Sequence, residues 1–132
     1  MGSSIYSEDN VYVYVVPAGA VMTATTTTAA QNNPVFTRAR LLINVSAVSG
    51  TSPSCVVGIQ ALNPTSNTWV TVTSRAAITA AGDYVYLTGP GSGSSAGVTD
   101  TEPVPMQWRL IFTITGTTPS FTFGGVVVEL FD

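Results

Sequence analysis

Residues 41 to 47 alternate between two sets, with Leu41, Ile43, Val45 and Ala47 on one side and Leu42, Asn44 and Ser46 on the other. The same period of two returns at 108 to 114, where Trp108, Leu110, Phe112 and Ile114 alternate with Arg109, Ile111 and Thr113. Alternation of this kind marks a strand with one buried face, so the first set of each predicts a core. In the last apolar run Phe121 and Phe123 agree in parity until Gly124 and Gly125 intervene. A glycine pair inside a strand marks a bulge, which moves the inward set to Val126, Val128 and Leu130.

Extended over the chain, this pattern predicts strands near 11–16, 20–28, 36–48, 54–62, 68–74, 83–88, 106–115 and 120–131. Val, Ile, Thr, Tyr and Phe dominate, and turn signals recur every ten or so residues, the spacing of a sandwich or barrel. The fold class expected is all-β: a single antiparallel β-sandwich of about eight strands, jelly-roll-like. "ALNPTSNTWVTV" reads as a hairpin around Asn63, Pro64, Ser66 and Asn67, and "AAGD" at 80–83 as a turn. "GPGSGSSAGVTDTEP" at 89–103 reads as a long Gly/Ser loop. Two phrases nearly repeat, "SGTSPS" at 49–54 and "TGTTPS" at 115–120, each after an arginine-led apolar run and before another. Aligning Arg40 with Arg109, Gly50 with Gly116 and Pro53 with Pro119 predicts two related hairpins, with glycine supplying a left-handed turn position.

Composition narrows the chemistry. The 132 residues suffice for one domain with a real core. Charged residues are only 8% of the chain, hydrophobic ones 45%, and there is neither lysine nor histidine. With Ser and Thr doing most of the solubilising, the surface is short of the mixed charges that keep monomers apart, which implies cover by neighbours. A net charge of -3 and four arginines (Arg38, Arg40, Arg75, Arg109) argue against nucleic acid and anionic membranes as partners. No run reaches the length of a membrane span, and the opening "MGSSIYSEDN" lacks the basic region of a secretory signal. Tyr6 also stands where a myristoylation signal wants Ser or Thr.

Without His or Lys, a Ser or Cys nucleophile has no usual activating base, so no catalytic residues are expected. Cys55 is the only cysteine and reads as a small buried hydrophobe. The carboxylate pairs Asp100/Glu102 and Glu8/Asp9 read as solvated loop charges. No cofactor is expected: "GPGSGSSAG" lacks the lysine of a phosphate loop, and zinc has no ligand set. A calcium site from Asp83, Asp100 or Glu102 is the weaker reading beside bare surface carboxylates. The sequon at Asn44 lies within a strand. Tyr12, Tyr14, Trp69, Tyr84, Tyr86 and Trp108 pose two alternatives, a sugar-stacking platform or core, sheet rim and protein interface.

The succession "VSGTSPSCVVGIQALNPTSNTWVTV", "AAITAAGDYVYLTGPG" and "QWRLIFTITGTTPSFTFGGVVV" resembles small β-sandwich virion proteins of tailed bacteriophages, of the capsid decoration (cement) type. The resemblance covers residues 36–128. It implies a non-enzymatic structural protein on the capsid surface, bound to the major capsid protein and to itself as a homo-oligomer, with a trimer favoured. Residues 1–35 are then an N-terminal arm and first strands, and 36–132 the sandwich body. Candidate contact residues are Tyr12, Tyr14, Val16, Trp69, Tyr84 and Tyr86. Two other roles fit the same strands: a tail, neck or adhesin component, and a carbohydrate-binding module.

Overall fold

The protein was analysed as a computed structural model that describes residues 10–33, 35–90, 94–95, 98–99 and 103–132. Two long strands form its centre, β5 (Arg38–Asn63) and β10 (Gln107–Phe131), paired antiparallel from Arg38↔Phe131 to Ala61↔Trp108. Along the other side of β10 the N-terminal segment runs in four pieces. These are β1 (Asn10–Val16), β2 (Val21–Met22), β3 (Thr26–Thr27) and β4 (Gln31–Asn32), each antiparallel to β10. Along the other side of β5 lie β6 (Thr68–Ser74), beside its second half, and β7 (Gly82–Thr88), beside its first. β8 (Ser94–Ser95) and β9 (Val98–Thr99) form a small separate ladder. The expected all-β antiparallel sandwich is thus present, and residues 10–32 are built into it as a lane of the main sheet.

The sheet is folded over on itself. Phe112 and Phe123 both belong to β10, and along a straight strand eleven residues would separate them by about 36 Å. Their ring centroids are 5.4 Å apart, in edge contact. The bend that brings them together falls at the two repeated phrases. Here the structure corrects one expectation: neither phrase is a hairpin loop. Each is a bend inside a continuous strand, and the two lie opposite one another, with Ser49↔Ser120, Thr51↔Thr117 and Ser54↔Thr115. Gly50 (φ 109°) and Ser52 (φ 49°) in one strand match Gly116 (φ 124°) and Thr118 (φ 45°) in the other. A Cβ on Gly50 would lie 2.6 Å from the Thr118 carbonyl oxygen, and one on Gly116 2.8 Å from that of Ser52. Each glycine therefore seats the Ser/Thr-Pro step of the other phrase, a local twofold that turns both strands together.

The predicted faces hold on either side of this bend. Leu41, Ile43 and Val45 are buried from the first half of β5, and Trp108, Leu110, Phe112 and Ile114 from the first half of β10. Beyond the register shift at Phe123/Gly125, Val126, Val128 and Leu130 are buried as the glycine pair implies. A Cβ on Gly124 would displace the Asn44 amide, and Gly125 at φ 141° holds the backbone conformation of the bulge that favours glycine. Ala47 departs from the pattern and is exposed. The ladder steps from Phe123↔Val45 to Thr122↔Ala47, so Ser46 is an extra residue and parity changes, leaving Val48 against the core. The hairpin at 63–68 forms as read, with the Asn67 amide donating to the Asn63 carbonyl at 2.7 Å and the Thr65 amide to Asn63 Oδ1 at 3.0 Å.

Candidate functional site

The bend divides the sheet into two halves, each with an outer face. In the first half the lanes are β1, the end of β10, the start of β5, and β7. Registered positions on its outer face read Tyr12, Glu129, Arg40, Leu87 in one row and Tyr14, Val127, Leu42, Val85 in the next. The second row is entirely uncharged. Tyr14 is 80% exposed, Tyr12 54% and Val85 52%, while Leu42 and Val127 are half-buried. Beside this row, where Gly124 and Gly125 carry no side chains, a groove of about 440 Å³ opens between Leu42, Val127 and Val85 and the polar pair Asn44 and Asp83. Asn44 Nδ2 donates to Asp83 Oδ1 at 2.6 Å, which closes the polar end of the groove.

The Glu129 charge on this face is compensated. Arg40 Nη1 donates to Glu129 Oε1 at 2.5 Å, and Asn10 Nδ2 donates to Glu129 Oε2 at 2.7 Å, so the buried carboxylate has a partner for each oxygen. Arg38 and Arg40 both lie over the Phe131 ring, at 4.7 and 5.0 Å. In the second half the row corresponding to Tyr12–Glu129–Arg40–Leu87 is Arg109, Gln60, Thr71, with an uncharged row Thr27, Ile111, Gly58, Ser74 beside it. Arg109 Nε donates to Gln60 Oε1 at 2.7 Å, Gln60 Nε2 to Thr71 Oγ1 at 3.2 Å, and the guanidinium lies 4.5 Å over the Trp69 ring.

The six candidate contact residues fall in three places. Tyr12 and Tyr14 stand together on the outer face of β1. Val16 is buried at the end of the same strand. Tyr84 and Tyr86 sit on β7, at the far edge of that half, with ring centroids 6.4 Å apart. Tyr84 is half-buried and donates its hydroxyl to the Ala80 carbonyl at 2.7 Å, and Tyr86 is buried in the core. Burial pushes the Tyr86 phenol above its ordinary pKa, helped by Tyr84 and opposed by Arg75. Trp69 belongs to the other half, one ring face covered by Arg109, so no single aromatic platform is assembled. Sequence reading passed over Leu42, Val127 and Val85. Their signal was visible in the outward parity of their strands, where polar residues were expected.

Cys55 is fully buried, and burial pushes its thiol up to about 12 from 9.0, the direction of an inert side chain. Among the described residues no three His, Cys, Asp or Glu side chains gather as a metal site, and Asp100, Glu102, Glu8 and Asp9 lie outside them. No helix among the described residues is long and apolar enough to cross a membrane. What the described surface offers is a sheet face suited to association through apolar contact.

No protein-family model matches the chain, and no curated protein sequence does. Among solved structures, the chain is similar to one in the structure of infectious bursal disease virus Gt strain, with a TM-score of 0.46 and 14% identity over 95% of this chain. It is also similar to one from the Gx strain of that virus, with a TM-score of 0.43 and 10% identity over 92% of this chain. It spans 32% of the length of each of those virus chains. A crystal structure of PirA matches with a TM-score of 0.41 and 11% identity, covering 97% of both chains.

Proposed function

We propose that this chain is a non-enzymatic structural protein of a virion, decorating and stabilising the outside of a capsid shell as a homo-oligomer, with the major capsid protein as its partner. The observation that carries this reading is the outer face of the first half: an uncharged row from Tyr14 to Val85, beside a groove floored by glycine, on a chain with 8% charged residues. Such a face is costly to leave in water and gains from being covered, at about 25 cal/mol per Å² of apolar surface buried. Several modest contacts made by one oligomer reinforce one another through effective concentration, so each subunit needs only a small patch. The bacteriophage and cement character comes from the sequence resemblance over residues 36–128.

Locating and counting the protein on purified particles tests this. Copies spread over the shell in the hundreds, lost together with shell stability on Tyr14→Ala with Val85→Ser, are the expected result. A few copies at a vertex or tail would assign the protein to the tail, neck or adhesin role. Glycan binding that depends on Tyr14 or Trp69, with no attachment to particles, would replace the reading with a carbohydrate-binding module.

A further inference from the structure

The two outer edges of the first half carry related runs, "VYVYV" in β1 and "YVYL" in β7, yet the structure treats them differently. β7 pairs with β5 on one side; its other side carries no strand among the described residues either, but buried Arg75 donates from Nη2 to the Leu87 carbonyl there and the strand holds the charged Asp83. β1 pairs with β10 on one side, and among the described residues nothing pairs with the other. Sheet edges that remain single are guarded by charge, proline, shortness or a mid-strand bulge. β1 has none of these through Tyr14: it is seven residues long and uncharged, and its one bulge falls at the last step, between Tyr14 and Val16. Its open backbone groups specify the chemistry of whatever covers them, another extended strand.

We propose that β1 pairs with β1 of a second copy, antiparallel about a twofold axis at Val13. The strand is self-complementary in that register. Its midpoint is Val13, so Tyr12 falls opposite Tyr14 of the partner, and Val11 opposite Val15. Both tyrosine pairs then share the outer face, while the valines continue the inner face where Val13 and Val15 already pack on the core. Aromatic and β-branched cross-strand pairs are the favourable ones, and an uncharged edge brings no repulsion to a chain with net charge -3. The contact is isologous and closes at two copies, whereas the resemblance implies a trimer. This deepens the homo-oligomer part of the proposed function and rests on that part alone. The test uses purified chain without capsid, so loss of shell binding and loss of pairing are separately visible.

Sedimentation of the full chain over a range of concentrations should give a monomer–dimer equilibrium. Tyr12→Lys with Tyr14→Lys, both exposed sites, should weaken it at least tenfold while leaving the folded circular dichroism spectrum unchanged. Register is read by cysteine pairs. Tyr12→Cys mixed with Tyr14→Cys should cross-link under mild oxidation, and neither should cross-link with itself. A monomer or a trimer at all concentrations would overturn the proposal, as would self-cross-linking of Tyr14→Cys. A chain that dimerises only after deletion of residues 1–9 would overturn it too, because the edge would then be covered by the chain's own start.

Discussion

The two halves of the bent sheet share the same pair of strands and carry arginines at equivalent places, Arg40 and Arg109, yet their outer faces are finished differently. Arg40 lies across the ladder from Glu129 and forms an ion pair; Arg109 lies across the same ladder from Gln60 and forms a neutral-acceptor hydrogen bond. One pairing cancels charge and leaves an apolar row beside it. The other leaves a positive group on the surface, stacked on Trp69. Near-symmetry in the backbone therefore does not carry over to the surface. A single exchange of carboxylate for amide at one registered position decides whether the arginine charge on each face is cancelled or kept.

The comparison can be broken most sharply at the bend. Gly50→Ala and Gly116→Ala each place a Cβ against backbone at positive φ, and each should cost about 3 kcal/mol of stability in urea unfolding. Equal costs support the local twofold; a large inequality would end it. Glu129→Gln should cost about 2 kcal/mol, because the arginine loses a charged partner in a partly buried site, while Gln60→Glu should change stability by less than about 1 kcal/mol. If the two exchanges have similar effects, the halves are electrostatically alike after all.

Cys55 and Phe121 occupy corresponding buried positions just past each phrase, and only the cysteine carries a titratable group. The folded thiol is raised to about 12 and the unfolded one titrates near 9.0, so the unfolded chain loses its proton first. The thiol's contribution to stability should then be constant well below pH 9 and fall by about 1.4 kcal/mol per unit between 9 and 12, a part that Cys55→Ala removes, while the raised Tyr86 phenol adds its own fall at still higher pH in both chains. Trp69→Ala should cost about 1 kcal/mol through the lost arginine contact. Tyr14→Ala should leave folding within about 0.5 kcal/mol of the original, measured by thermal unfolding of the dilute protein.

Much of this architecture was legible in the chain because a period of two is a local signal. The faces of Leu41 to Val45 and Trp108 to Ile114, and the parity change at the glycine pair, depend only on neighbouring residues. The meaning of "SGTSPS" and "TGTTPS" was not legible, because glycine and proline serve a hairpin loop and a strand bend equally well. Only the pairing of Thr51 with Thr117 separates the two. The tyrosine pairs were ambiguous for a similar reason. Tyr12 with Tyr14 and Tyr84 with Tyr86 show the same alternation, and register alone turns the first pair outward and sets the second on the core side, where Tyr86 is buried. Leu42 and Val127 were hidden by the expectation that an outward position is polar, which a surface covered by another molecule does not obey.

The pairing of β5 with β10 also sets an order of events. Arg38 meets Phe131 and Ala61 meets Trp108, so the innermost ladder joins segments far apart along the chain. During synthesis β5 can dock β6 and β7 as they appear, but its other edge stays open until residues 107–131 have emerged. Closure of the sandwich is thus held back until the second long strand has been made, a slow, non-local step during which a 26-residue strand waits with one side exposed.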